Sequence, residues 1–171
     1  MASTLLNKLP DPPTAQRGWP WTKKSEPLPK TQPNGDPWPK ISIVTPSYNQ
    51  GPFIEETIRS VLLQGYPNLE YIVIDGGSTD GTVDILEKYD PWIDYWVSEP
   101  DEGQSHAINK GLRRCTGTIF NWLNADDFLV PHALRRIGDT MRGHDVLAAL
   151  HQERGDGDGR VPDGLRVPGS P

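Results

Sequence analysis

Two adjacent aspartates, Asp126 and Asp127, are the sharpest chemical feature of this 171-residue sequence. Carboxylate oxygens are preferred ligands of Mg²⁺ and Mn²⁺, which bind through one or two carboxylates together with phosphate oxygens of a substrate. The pair could therefore hold a divalent cation against a diphosphate. Alternatively, one of the two could cap the helix predicted after Pro131. The residues alone leave both interpretations open.

Polar, acidic or glycine-rich residues follow each of four apolar runs that the sequence predicts to be strands. These segments span 45–49, 75–81, 99–104 and 124–127. In open α/β sheets, ligands bind beyond the carboxyl ends of the strands. We therefore expect the four segments to converge on one edge of the sheet and to form a binding site. Asp75 could accept a hydrogen bond there from a base or a ribose, or it could form an Asx turn.

The sequence motifs argue against several other kinds of binding or catalytic site. The sequence contains neither G-x-G-x-x-G nor G-x-x-x-x-G-K-[ST], so a dinucleotide fingerprint and a Walker loop are not supported. The segment 75–81 begins like a calcium loop, but Leu86 stands where an EF-hand closes with glutamate. His106 and Cys115 have no identifiable catalytic partner, so we interpret both as structural.

The elements that must position these residues alternate between strand and helix. Strands are predicted over 41–44, 71–74, 93–97 and 119–123, and a helical pattern follows each of them. The first helical pattern places Ile54, Ile58 and Val61 on one face, and Gly65 can end that helix. Such repetition is typical of βαβ units. We predict an α/β fold, an open and mainly parallel sheet with helices on both faces.

Proline content divides the chain into three parts. Residues 1–39 hold nine of the 18 prolines, which predicts an extended and mobile arm. Its tryptophans, Trp19, Trp21 and Trp38, could anchor the arm on the domain or on a partner, or could be exposed by chance. Residues 40–150 form the predicted folded domain. Residues 151–171, rich in Gly, Pro and Asp, are predicted to be disordered.

The composition of the chain argues against several classes of function. A net charge of −6 disfavours nucleic acid as a partner, because phosphate binding needs surplus positive charge. The single cysteine excludes an intramolecular disulfide framework, and no Cys/His cluster has zinc spacing. No apolar run approaches the roughly 20 residues of a membrane helix, and no secretion signal is recognisable. We therefore expect a soluble, cytoplasmic protein without a transmembrane segment.

Four ordered segments resemble the inverting family 2 glycosyltransferases of GT-A fold. They are ISIVTPSYN from Ile41, SVLLQGYPNLEYIVIDGGSTDGT from Ser60, EPDEGQSHAINKGL from Glu99 and WLNADD from Trp122. The resemblance covers about residues 40–140 and follows the family's order and spacing. It implies a hexosyltransferase-type enzyme that moves a sugar from a nucleotide-diphosphate sugar, typically a UDP-sugar, to an acceptor hydroxyl with inversion.

The resemblance also implies which residues bind the nucleotide. The residues at the family's positions are Pro46, Tyr48, Asn49, Asp75, Asn109, Lys110 and Asp126. The first three would line the nucleotide pocket, and Asp75 would contact the base, typically uracil. Asn109 and Lys110 would lie near the nucleotide and the sugar.

The family's D-x-D motif falls on Asn124, Ala125 and Asp126, with asparagine in place of the first aspartate. The resemblance implies that Asp126 and Asp127 share contacts to the ribose and to a divalent cation, Mn²⁺ or Mg²⁺. The sequence does not divide these two roles. In-line attack of the acceptor hydroxyl on the anomeric carbon is then helped by the cation, which stabilises charge on the departing diphosphate.

An inverting transferase also needs a general base, which the resemblance places in an acceptor-binding half after the metal motif. Beyond about Val146 the sequence shows no such segment, and Glu153, Asp156 and Asp158 lie in a Gly-rich tail. We therefore predict an incomplete C-terminal half and identify no catalytic residue. The tail looks like that of a truncated or frameshifted chain. A predicted strand over 145–150 would then be an exposed edge through which chains associate.

Two interpretations of different class follow. The chain is a glycosyltransferase, alone or completed by another chain, or it is a non-catalytic fragment that binds a nucleotide sugar. Metal-dependent UDP binding is common to both, and turnover with an acceptor (saccharide, lipid or protein) separates them. A nucleotidyltransferase is disfavoured because residues 48–51 offer one glycine and no basic side chain.

Overall fold

The computed structural model describes residues 5–13 and 15–141, and within them it shows four strands and four α-helices. In chain order they are β1 (Ile41–Ser47), α1 (Ile54–Leu62), β2 (Leu69–Asp75), α2 (Thr82–Tyr89), β3 (Tyr95–Ser98), α3 (Gln104–Leu112), β4 (Ile119–Trp122) and α4 (Ala133–Thr140). Short 3₁₀ turns occur at Leu5–Asn7 and Asp90–Trp92.

The four strands form one parallel sheet in the order β3-β2-β1-β4. β1 pairs with β2 along its whole length, from Ile41 opposite Leu69 to Ser47 opposite Asp75. Parallel neighbours cannot be joined by tight turns, so the chain crosses between them through helices. The predicted α/β fold class is confirmed.

Helices cover both faces of the sheet. On one face, Ala107 of α3 packs with Val44, Ile72 and Ile74. Gly111 of α3 lies so close to Val44 that a Cβ at this position would clash with it. The other face carries the main core, to which β1, β2, α1, α2 and α4 contribute Ile41, Ile43, Ile58, Tyr71, Val73, Leu86 and Leu134. The arrangement agrees with the prediction of helices on both faces.

β1 is three residues longer than predicted because it continues through Pro46. Proline has no backbone N–H to give to a sheet. β1 pairs with β4 only from Ile41 to Val44, so Pro46 lies beyond that pairing and loses no hydrogen bond on that side. The strand therefore extends to Ser47 and brings the following residues to the carboxyl end of the sheet.

The proline-rich segment before β1 is packed on the domain. Leu9, Trp21 and Trp38 are buried, and the Trp19 Nε1–H donates a 2.8 Å hydrogen bond to the Leu129 carbonyl. The structure therefore supports anchoring on the domain, and it corrects the interpretation of residues 5–13 and 15–39 as a mobile arm. The domain boundary at residue 39 stays a prediction.

Arg59 of α1 is the main attachment point for this segment. Its buried guanidinium donates hydrogen bonds of 2.8–3.2 Å to the carbonyl oxygens of Pro10, Pro20 and Trp21, and one of 2.9 Å to the Tyr89 hydroxyl. A buried charge is costly unless it is hydrogen-bonded. The segment supplies these partners because its proline-rich backbone leaves carbonyl oxygens outside helices and sheets.

The predicted strand over 145–150, its proposed role in association and the predicted disordered tail over 151–171 all lie outside the described residues. Within residues 5–13 and 15–141, no helix is both long enough and apolar enough to cross a membrane.

Candidate functional site

A cleft of about 720 Å³ opens at the carboxyl end of the sheet. Its lining comes from the end of β1, from the loops that follow the four strands and from the first turn of α3: Pro46, Ser47, Tyr48, Gln50, Gly76, Gly77, Pro100, Asp101, Gly103, Gln104, Ala107, Asn124, Ala125 and Asp126. The predicted convergence of the four segments on one edge is confirmed. It follows from the parallel order of the strands, which places all four carboxyl ends together.

Some residues at the end of β1 and in the loop after it line the cleft, whereas Asn49 contacts the loop after β2. Pro46 and Tyr48 line the cleft, and the Tyr48 side chain is largely exposed. Asn49 does not line it. Its backbone is left-handed, with φ of 52°, a conformation that asparagine tolerates better than most residues. Its N–H donates to Ser78 Oγ (2.7 Å) and its Oδ1 accepts from the Thr79 N–H (3.0 Å), which ties the two loops together.

Asp75 is fully buried at the end of β2 and does not line the cleft. Its Oδ2 accepts hydrogen bonds from the N–H groups of Gly77 (3.1 Å) and Ser78 (2.8 Å) and from the Ser98 hydroxyl (2.6 Å). Its Oδ1 accepts from the Ser78 hydroxyl at 2.5 Å. These hydrogen bonds form the Asx turn that the sequence left open as an alternative role for Asp75. They hold the turn that contains Gly76 and Gly77, two residues that line the cleft.

Asn109 and Lys110 lie on α3 outside the cleft lining. Lys110 Nζ pairs with a carboxylate oxygen of Glu99 at 2.7 Å, and this hydrogen bond lowers the pKa of the Glu99 carboxyl. The N-terminal end of α3 contributes Gln104 instead. No pattern in the sequence distinguishes Gln104, although it stands in the polar segment after β3.

The segment 123–132, between β4 and α4, carries both aspartates and is termed the acidic loop. Asp126 is exposed in the cleft, and its carboxylate accepts no hydrogen bond from the described residues. Asp127 Oδ2 accepts one from Asn124 Nδ2 at 3.0 Å, and Asn124 Oδ1 accepts one from Gln104 Nε2 at 2.6 Å. Neither aspartate caps α4, because its N-cap is His132 with no side-chain cap.

The oxygen atoms around the cleft suit a hard divalent cation. Asp101 and Asp126 contribute carboxylates to the lining, and Asn124 contributes an amide oxygen. Within residues 5–13 and 15–141, no three His, Cys, Asp or Glu side chains form a metal cluster. Mg²⁺ is usually bound through one or two carboxylates together with substrate phosphates, rather than by an all-protein cage. The donor set therefore fits a cation that binds together with a diphosphate.

The model of the family named Glycosyl transferase family 2 matches residues 42–166. The glycosyltransferase TuaG of Bacillus subtilis is 44% identical over 92 residues, which are 52% of this chain and 36% of TuaG. Chondroitin synthase of Escherichia coli is 34% identical over 116 residues, which are 66% of this chain and 17% of the synthase. The chain thus spans less than half the length of these relatives.

Solved glycosyltransferase structures share the fold. S. aureus TarS 1-349 in complex with UDP-GlcNAc matches with a TM-score of 0.56 and 26% identity, over 61% of this chain and 32% of that one. The mannosyltransferase PcManGT from Pyrobaculum calidifontis, in complex with GDP-Man and Mn²⁺, matches with a TM-score of 0.51 and 34% identity, over 55% and 29% respectively. The family match and this shared GT-A fold show that the chain belongs to glycosyl transferase family 2.

Proposed function

We propose that the cleft binds a nucleotide-diphosphate sugar, with UDP as the nucleotide, and that the chain takes part in transferring the sugar to an acceptor hydroxyl with inversion. One observation carries the proposal: in a cleft where four strand ends converge, Asp126 presents a carboxylate that has no hydrogen-bond partner among residues 5–13 and 15–141. The match to a transferase solved with UDP-GlcNAc supports the choice of ligand.

In the proposed reaction, the acceptor oxygen attacks the anomeric carbon on the side opposite the diphosphate. The new C–O bond forms as the bond from the anomeric carbon to the diphosphate oxygen breaks, and the electron pair leaves with the diphosphate. The acceptor proton passes to a general base, for which we assign no residue. Bound Mn²⁺ or Mg²⁺ would neutralise charge on the departing diphosphate, and Asp126 is the residue that we propose to hold it.

The other proposed nucleotide-binding residues divide into direct and indirect contacts. Pro46 and Tyr48 form a wall of the cleft and would contact the nucleotide. Asn49 and Asp75 hold the loops on which the lining residues stand. A base contact for Asp75, and sugar contacts for Asn109 and Lys110, stay predictions of the resemblance. So does a cytoplasmic location.

Calorimetric titration of UDP into the full chain, with and without Mn²⁺, tests the site. We expect Mn²⁺ to tighten UDP binding, and Asp126→Asn to weaken binding in Mn²⁺ about 10- to 100-fold, the usual range for losing a charged partner. Asp84→Asn is the matched control, because Asp84 is an exposed aspartate on α2 outside the cleft lining. A folded protein that binds no UDP under either condition would contradict the proposal.

Transfer is tested separately from binding. Release of UDP from a UDP-sugar, measured with and without candidate saccharide, lipid or protein acceptors, distinguishes a transferase from a module that only binds the donor. Acceptor-dependent release that is lost in Asp126→Asn would support transfer. Binding without such release would favour the non-catalytic alternative.

A further inference from the structure

Three buried polar side chains of α1 and the turn after it face the acidic loop. Thr57, Ser60 and Gln64 are spaced three and four residues apart, so they lie on one side of the helix. Each is at most 1% exposed. Together they are termed the brace. The apolar residues Ile58 and Val61 pack into the core, so the brace is not needed to bury the helix.

Thr57 contacts the acidic loop on both sides of Asp126. Its hydroxyl oxygen lies 2.8 Å from the Ala125 carbonyl oxygen and 2.6 Å from that of Asp127. A hydroxyl group carries one proton, so the two carbonyls share it. The Ala125 carbonyl belongs to the peptide before Asp126, and the Asp127 carbonyl belongs to the peptide after Asp127. The peptide between the two aspartates is held by the Asp127 N–H, which donates to the Asn124 carbonyl at 3.1 Å. These contacts restrain the backbone of Asp126, and with it the direction in which its side chain leaves the loop.

Ser60 and Gln64 hold the rest of the acidic loop and the start of α4. Ser60 Oγ accepts a 3.0 Å hydrogen bond from the Leu129 N–H. Gln64 Nε2 donates to the Val130 carbonyl at 3.0 Å, and its Oε1 accepts from the Leu134 N–H at 3.3 Å. Buried backbone groups need such partners, and losing one leaves a desolvated group unpaired.

We propose that the brace residues are positioning residues: they place Asp126 in the cleft, so that metal-dependent nucleotide binding depends on helix side chains outside the cleft lining. This inference rests on the proposed function. Thr57 carries most of the effect because, of the three brace residues, it contacts the carbonyl groups of both neighbours of Asp126, Ala125 and Asp127.

The test compares three substitutions in the full chain. Thr57→Val removes the hydroxyl at nearly constant volume, and Thr57→Ser keeps it. Thr45→Val is the matched control, since the Thr45 hydroxyl is equally buried but pairs with the Tyr71 hydroxyl at 3.1 Å. The quantity measured is the ratio of the UDP dissociation constants without and with Mn²⁺.

We expect that ratio to fall about tenfold in Thr57→Val, the effect of leaving a buried acceptor unpaired, and to be restored in Thr57→Ser. Thr45→Val should retain the full ratio even if its unfolding temperature falls. If Thr57→Val keeps the full ratio, the positioning role is wrong. An equal loss in Thr45→Val would also overturn it, because general destabilisation would then explain the result. If the unaltered protein shows no Mn²⁺ effect, the proposed function itself fails.

Hydrogen exchange gives a measurement that does not depend on the ligand. In the unliganded protein, amides of residues 123–132 should exchange several-fold faster in Thr57→Val than in the unaltered chain, because the loop opens more often. Thr45→Val should leave exchange in this loop unchanged. Equal protection of the loop in all three proteins would overturn the inference, even if Thr57→Val had lost nucleotide binding.

Discussion

The two ends of the sheet hold carboxylates with opposite surroundings. At the amino end, Glu70 accepts hydrogen bonds from the Ser42 hydroxyl, from the Thr116 N–H and hydroxyl, and from Lys40 Nζ, all between 2.5 and 2.9 Å. At the carboxyl end, Asp126 accepts none from the described residues. A carboxylate whose oxygens are occupied holds chain segments together, whereas one without partners is available to a ligand.

Asp75 shows that a carboxylate at the carboxyl end of the sheet is not always available to a ligand. It lies at the carboxyl end of β2, yet its four hydrogen bonds make it resemble Glu70 more than Asp126. The number of partners, rather than the end of the sheet, therefore separates carboxylates that hold loops from one that can hold a cation.

The largest effect on stability is expected from a side chain placed into the Glu70 cluster. A Cβ at Gly117 would lie 2.5 Å from Ser42 Oγ and 2.8 Å from the Lys40 carbonyl oxygen, and that backbone cannot move aside easily. We expect Gly117→Ala to lower the free energy of unfolding by about 1–3 kcal/mol, measured by urea unfolding. UDP affinity of the folded protein should not change. An undiminished stability would show that this end of the sheet is adaptable.

A smaller loss is expected from Glu70→Gln, which keeps the side-chain shape. Its amide NH₂ would face groups that donate to Glu70, such as the Thr116 N–H, so a hydrogen bond is lost at a largely buried position. We expect a loss of about 1–2 kcal/mol in the free energy of unfolding at neutral pH. Glu87→Gln, at an exposed glutamate of α2, is the control and should be neutral.

The same cluster predicts a loss of stability in acid. Burial raises the pKa of the Glu70 carboxyl, but hydrogen bonds from Ser42, Thr116 and Lys40 outweigh burial and lower the pKa from 4.5 to about 2. The unfolded chain therefore takes up this proton first as pH falls. The contribution of Glu70 is fully present above about pH 4.5 and is lost towards about pH 2. The stability difference between unaltered protein and Glu70→Gln should shrink over this interval, and a constant difference would contradict the assignment.

The sheet and its helices could be predicted because their signals are local. Apolar runs, helical spacing and the residues after each strand predicted eight elements and the edge where the cleft lies. The direction of a side chain after a strand is not a local signal. The resemblance places Asn49 and Asp75 at the nucleotide, which stays a prediction, and the structure adds that both residues hold the loops around the cleft.

The packing of the proline-rich segment could not be predicted, because its contacts join residues far apart in sequence. The Arg59 bonds to Pro10, Pro20 and Trp21 each cross more than 35 residues, and the Trp19 bond to Leu129 crosses 110. One signal was present in the sequence. Arg59 directly follows Ile58 in the helix predicted to pack on the sheet, so it stands beside the apolar face, where a charge that becomes buried needs hydrogen-bond partners.

The smallest effect on stability is expected from an added methyl at the carboxyl end. A Cβ at Gly76 would lie 3.1–3.2 Å from the Asp101 carboxylate, which is the end of a side chain held by one hydrogen bond, from the Gly103 N–H at 2.7 Å, and not backbone. Gly76→Ala should therefore change the free energy of unfolding by less than about 0.5 kcal/mol. Both residues line the cleft, so the methyl group occupies ligand space and should weaken UDP binding several-fold.

Gly76→Ala and Gly117→Ala add the same methyl group at opposite ends of one sheet. We expect Gly76→Ala to weaken UDP binding while leaving the free energy of unfolding nearly unchanged. We expect Gly117→Ala to lower the free energy of unfolding while leaving UDP affinity unchanged. Calorimetric titration and urea unfolding of both proteins measure the two quantities. Equal loss of stability in the two variants would mean that the carboxyl end is as rigidly packed as the Glu70 cluster. The contrast between the two ends of the sheet would then be confined to the hydrogen bonds of their carboxylates, four on Glu70 and none from the described residues on Asp126.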